Sequence, residues 1–130
     1  MRQTFRKDER LRKKILIAKL FREGSSIYIH PFRVTWLPSS VAADYPAQVL
    51  IAVPKHTIRK AVNRNAVRRR IREAYRRNKY FLYDFLSEQQ GGLVFAITYT
   101  SKEILAYNLL QEKIIVLLQR LMTEYEKGAG

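Results

Sequence analysis

Cysteine is absent from the 130-residue sequence, and acidic side chains are few. Without thiols, disulfide staples and thiolate metal sites are excluded, and nothing points to an oxidising compartment. Histidine occurs only as His30 and His56, far apart and without the spacing of a ligand pair. There is no nucleophile–base–orienter pattern, no glycine-rich phosphate loop and no grouped carboxylate pair. The sequence therefore offers no catalytic residue and no metal ligand. Apolar runs stay well below the roughly 20 residues that span a bilayer. The opening residues, MRQTFRKDERLRKK, are too charged for a secretory signal. The expectation is a cytoplasmic protein with no membrane partner and no cofactor bound by the protein alone.

Positive charge is what the sequence has in excess. Lys and Arg number 25 against 11 Asp and Glu, a formal charge of +14. A field of that strength on a small protein attracts polyanions, with nucleic acid first and an anionic membrane surface second. The charge is also uneven: residues 1–79 carry 21 basic and 5 acidic side chains, residues 80–130 carry 4 and 6. Within the basic part, 9 Lys/Arg lie in residues 1–23 and 11 in residues 55–79. Those two blocks are expected to build the binding surface, and the C-terminal third to serve as scaffold. An apolar content of 47% and this length fit one domain over 1–130 around one core. Its ends, 1–8 and 124–130, are expected to be mobile.

Periodicity predicts an α+β chain. Leu11 to Phe21 reads as a short amphipathic helix stopped near Gly24. Ser25–His30 and Phe32–Leu37 are rich in β-branched and aromatic residues and read as strands, with Pro31 at a bend or edge. Residues 38–46 form a loop, Val49–Val53 a central strand, and Ile58–Lys79 a long helix free of Gly and Pro. Gly91-Gly92 punctuates the chain before a strand at Leu93–Thr100. A helix over Leu105–Met122 follows, with Ser101 or Asn108 as its cap. The order is α-β-β-β-α-β-α.

Residues 60–77, KAVNRNAVRRRIREAYRR, are the informative segment. At roughly 100° per residue, Arg64, Asn65, Arg68, Arg69, Arg72 and Arg76 fall within an arc of roughly 140°. Val67, Ile71 and Ala74 cluster on another side. One face can dock on a sheet while a guanidinium-rich face points outward. A run of charge is commonly just a solvated face. Such a face mixes signs for i,i+4 support, however, and Glu73 is the single acid in this segment. Arg predominates, and its planar fork grips phosphate oxygens bidentately.

The spacing R-N-x-x-[KR]-R-x-x-R-E resembles the signature of the bacterial ribonuclease P protein component. It stands here as Lys55, His56, Lys60, Ala61, Val62, Arg64, Asn65, Arg68, Arg69, Arg72 and Glu73. RLRKKILIAKLFREGSSI, residues 10–27, is similar to the family's N-terminal segment. The resemblance implies a single-domain α/β sandwich like a small-subunit ribosomal protein domain. Its βαβ crossover would be left-handed, against the usual rule. It implies a partner RNA that carries out catalysis with Mg2+, and precursor tRNA as substrate, the protein alone being a monomer. Lys55, Lys60, Arg64, Asn65, Arg68, Arg69, Arg72 and Arg76 would face the catalytic RNA. A cleft between the N-terminal helix and the sheet would take the 5′ leader. Three positions depart from the pattern: Ala66 replaces a third motif Arg, His56 a Lys, and Ile17 a leader-contacting Phe.

Candidates for that cleft are Arg12, Ile17, Phe21, Tyr28, Phe32 and Trp36, since unpaired bases stack on aromatic rings. Aromatics on strands also build cores, and the faces of Tyr28 and Trp36 are open at this level. Tyr80, Phe81, Tyr83 and Phe85 are expected to pack under the basic helix. A general or ribosomal RNA-binding protein with no processing role explains the charge, but not the residue order around Arg64-Asn65. A protein-only ribonuclease would need grouped carboxylates. Membrane-surface binding lacks the Trp/Leu-rich face that insertion favours.

Overall fold

The computed structural model describes residues 5, 7–39 and 45–129. Part of the expected mobile N-terminus and the centre of the 38–46 loop lie outside them. A 3-10 turn at Lys7–Glu9 precedes α1 (Lys14–Glu23), β1 (Ser25–Ile29), β2 (Phe32–Pro38) and β3 (Ala47–Ala52). Then come α2 (Ala61–Asn78), α3 (Tyr80–Glu88), β4 (Leu93–Tyr99) and α4 (Tyr107–Ala129). The expected α+β order holds, with α3 added as a helix of its own.

The four strands form one sheet in the order β1-β2-β4-β3. The β1/β2 and β2/β4 pairs are antiparallel, while β3 and β4 run parallel and are joined through α2 and α3. His30 and Pro31 make the two-residue turn of the first hairpin, with Ile29 opposite Phe32, so the expected bend at Pro31 is where the chain reverses.

Strand alternation sorts the side chains into two layers. Phe32, Val34, Trp36, Val49, Phe95, Ile97 and Tyr99 face the main core, which α2, α3 and α4 close with Val67, Ile71, Leu82, Leu86, Leu110, Ile114 and Leu117. Val94 and Ala96, on the other face, pack with Leu11 and Leu20, and Ile17 rests partly buried against them. At Gly24, where α1 passes straight into β1, a Cβ would stand 2.9 Å from the Trp36 carbonyl oxygen, so the close approach requires glycine.

Several boundaries differ from the sequence reading for identifiable reasons. Leu11 is outside α1. Its N–H donates to the Val49 carbonyl at 2.9 Å, and Arg10 bridges Val49 in parallel. This N-terminal strap covers the open edge of β3, which would otherwise be free to pair with another chain. Phe5 meets Tyr75 edge-to-face at 5.6 Å between ring centroids. Glu9 and Lys79 form a buried ion pair at 2.5 and 2.7 Å to the two carboxylate oxygens.

Ile58 is also outside its expected helix. The chain turns at Pro54–Ile58 and buries Ile58 in the core before α2 begins at Ala61. Ser101 does not cap α4; its hydroxyl accepts the Glu103 N–H at 3.1 Å, and Asn108 lies inside the first turn. At the other end, α4 continues past Met122 to Ala129, because Tyr125 is buried between Trp36 and Phe85.

Candidate nucleic-acid interface

The buried side of α2 sets its outward side. Val67, Ile71, Ala74 and Tyr75 are buried, as the helical period requires for the first three, so the intervening residues point away from the core. Asn65 and Arg69 are exposed; Arg64, Arg68, Arg72 and Arg76 are half-buried. None of Arg64, Arg68, Arg69 and Arg72 forms an ion pair among the described residues.

Each has a particular setting. Arg64 donates from Nη1 to the carbonyls of Ile58 at 3.1 Å and Arg59 at 2.6 Å, closing the loop that leads into α2. Arg68 donates to Asn65 Oδ1 at 2.8 Å, which links two motif positions one turn apart. The Nε of Arg72 is buried without a hydrogen-bond partner. Burial, then the charges of Arg10 and Arg68, pull the Arg72 guanidinium below its ordinary pKa.

Glu73 is the acid on this helix, and it takes Arg76 at 2.5 Å and Arg77 at 3.1 Å. The Arg76 hydrogen bond leads in holding the Glu73 carboxyl below the usual carboxylate range. Arg76 is therefore partly neutralised, unlike the arginines before it. Two other members of the basic block are turned away from the arginine face. Arg70 turns away to the Leu105 carbonyl at 2.8 Å, and Lys79 is the buried partner of Glu9.

Lys55, His56, Arg59 and Lys60 are exposed on the β3–α2 connection, next to the start of the arginine face. Beside Ala66, a cavity of about 300 Å3 is lined by Arg69, Arg70, Glu73 and Tyr107.

The aromatic and N-terminal candidates divide. Phe21 and Tyr28 are 52% and 58% exposed, so their rings are available. Arg12 is exposed between the strap and α1. Ile17 is packed against the α1-side cluster. Phe32 and Trp36 are corrections: Phe32 is fully buried and Trp36 is 7% exposed, both on the helix-covered face. Alternation along β2 puts 32, 34 and 36 together in the core, and neither ring can receive a base.

The residues that sequence reading missed sit on the opposite face. Arg33 is exposed, paired in register with Tyr28 on one side and Thr98 on the other. A cavity of about 280 Å3 is lined there by Arg33, His56, Thr57, Thr98, Thr100 and Lys102, among others. Tyr28 touches one of the lining residues, its hydroxyl lying 3.4 Å from that of Thr100. The signal available was the odd/even position of Arg33 in a strand whose other face is apolar. Lys102 carried none, being isolated in a weakly charged region.

Among the described residues, no group of three or more His, Cys, Asp or Glu could hold a metal ion. No helix among them is long and apolar enough to cross a membrane.

Comparison with known proteins adds a family. Residues 5–122 match the family model described as Ribonuclease P. The chain is 40% identical over 99 residues to the ribonuclease P protein component of Porphyromonas gingivalis, covering 75% of this chain and 72% of that one. It is 36% identical over 129 residues to that of Chlorobium phaeobacteroides, covering 91% and 88%. The solved RNase P protein from Thermotoga maritima superposes with a TM-score of 0.66 at 28% identity, covering 86% of this chain and 96% of that one.

Proposed function

The chain belongs to the ribonuclease P protein family, and we propose that it works as a monomeric subunit that grips two RNAs at once. The catalytic RNA lies along the outer face of α2, on Arg64, Asn65, Arg68, Arg69 and Arg72, with Lys55 and Lys60 extending the contact toward the loop. Arg76 contributes less, since Glu73 already holds it. The observation that carries this reading is a helix whose apolar side is fully docked while four arginines remain without an ion pair among the described residues. Leaving like charges in i,i+4 array costs helix stability unless a polyanion offsets it.

The single-stranded 5′ leader of precursor tRNA is assigned to the α1-side face. Phe21 and Tyr28 offer rings for stacking unpaired bases, and Arg12 lies on the approach. Arg33 and Lys102 supply positive charge, and His56 a polar ring, for the backbone around the cavity that they line. Ile17 shapes the apolar floor. His56 and Lys55 sit on the connection that leads from this face to α2, so the two RNA contacts are continuous through one loop.

Among the described residues, no group of carboxylates or histidines fits a magnesium site. In this proposal Mg2+ is bound through the RNA subunit, and the protein provides position and charge. Reconstitution tests it: protein, catalytic RNA, magnesium and labelled precursor tRNA are combined, and each is omitted in turn. Removal of the leader should depend on the RNA in every condition. The protein should raise affinity for leader-bearing precursor and lower the magnesium needed. Cleavage by the protein without RNA, or no effect of adding it, overturns the proposal.

A further inference from the structure

The basic N-terminal segment and α2 meet in a way that neither sequence block suggests alone. The strap is docked on both sides of Arg10. Glu9 holds the buried Lys79 with both carboxylate oxygens, and the Leu11 N–H bonds the Val49 carbonyl. Phe5 packs its ring against Tyr75, and the Arg10 guanidinium stands over the Phe5 ring at 5.2 Å. Tyr75 lies one turn beyond Arg72, and Arg72 one turn beyond Arg68, so Arg10 is held beside α2, through Phe5, by the buried Tyr75 of that helix.

We infer that Arg10, Arg68 and Arg72 form one site for a phosphodiester of the catalytic RNA, and that the Glu9–Lys79 pair serves as the anchor that presents Arg10 to it. The inference rests on the ribonucleoprotein reading above and adds a contact from outside α2. Two independent observations support it. The Arg72 Nε is a buried donor with no acceptor, an arrangement that proteins rarely leave unfilled. Separately, Arg10 stands over the Phe5 ring, Phe5 packs on Tyr75 one turn from Arg72, and the charges of Arg10 and Arg68 both bear on Arg72.

Two nearby acids are already engaged. Glu9 is matched by Lys79, and Glu73 by Arg76 and Arg77. A phosphodiester suits what remains: it has one negative charge and two unesterified oxygens, which planar guanidinium forks bind bidentately. Binding would turn the repulsion among the three cations into shared attraction.

The test measures affinity for a transcribed bacterial ribonuclease P RNA across a salt series, for the full-length protein and for R10A, R72A, R10A/R72A and R64A. Circular dichroism checks that each is folded. R10A and R72A should each weaken binding about tenfold at low salt and flatten the log–log salt slope by about one unit. The double replacement should lose little more than either single one, because both remove the same phosphate contact. E9Q should weaken binding in the native background and change little in R10A, which a purely structural role would not produce. If E9Q unfolds, the R10A series decides alone. Binding by R10A equal to the unmodified protein, with R64A impaired, overturns this site and leaves the family reading intact. Failure of the unmodified protein to bind the RNA overturns the reading itself.

Discussion

A carboxylate and an ammonium taken out of water together have to satisfy each other, and Glu9 and Lys79 do so at 2.5 and 2.7 Å. Burial, with the Glu9 charge adding to it, pushes the neighbouring phenols of Tyr75 and Tyr83 above their ordinary pKa. Replacing Glu9 alone with Ala takes the carboxylate away from a buried cation and should cost about 3–5 kcal/mol in urea unfolding. The double replacement E9M/K79M should recover most of that loss. Glu73 acts more weakly. Its carboxyl is held below the usual range by Arg76 and Arg77, so the stability it adds is present above the ordinary carboxylate pKa. That stability is lost as pH falls through the depressed value. For so exposed a group the effect is a few tenths of a kcal/mol, and E73Q should remove this part of the acid dependence. Phe21 belongs to binding rather than stability. F21A should reduce affinity for leader-bearing precursor about tenfold and leave mature tRNA unaffected, measured in the reconstituted complex; equal loss for both would make Phe21 a packing residue.

Among the elements, α4 depends on its last turns. Tyr125 packs against Trp36 and Phe85, so Y125A should destabilise the fold by about 3 kcal/mol in thermal unfolding, where a frayed end would show almost no change. The end of α3 makes a separate case. Gln90 has φ 53°, and the Gly91 N–H returns to the Leu86 carbonyl, so Gln90 occupies the left-handed position of the helix stop. Q90G should therefore stabilise by about 0.5–1 kcal/mol. The sequence marks this stop through Gly91-Gly92, yet no glycine among the described residues has positive φ; Gly91 is needed because a Cβ would collide with the Tyr125 hydroxyl. Local signals thus locate the four strands and the basic helix within a few residues. They miss what depends on distant partners. Leu11 has helical spacing but pairs with Val49, and the 124–129 segment is polar enough to suggest fraying until Trp36 is seen beneath Tyr125. The candidate site shows the same division. The outward arginines of α2 follow from the helical period, whereas Phe32 and Trp36 needed the sheet's second face to be known. Arg33 and Lys102 needed the tertiary fold to bring them together.

At the scale of the molecule, charge and scaffold are separated along the chain and rejoined in space. The C-terminal third supplies β4 and α4, which fill the core. Apart from Lys79, the described Lys and Arg of the two basic blocks lie outside it, and the strap brings the first block up against the second. This arrangement makes binding a matter of counterion release, with affinity falling linearly in log salt concentration. The most direct test is that salt slope for catalytic RNA, compared between the native protein and R64A/R68A/R69A. A flattening of about two to three units with an unchanged melting temperature is expected. An identical slope in the two proteins would mean that the arginine face of α2 does not hold RNA.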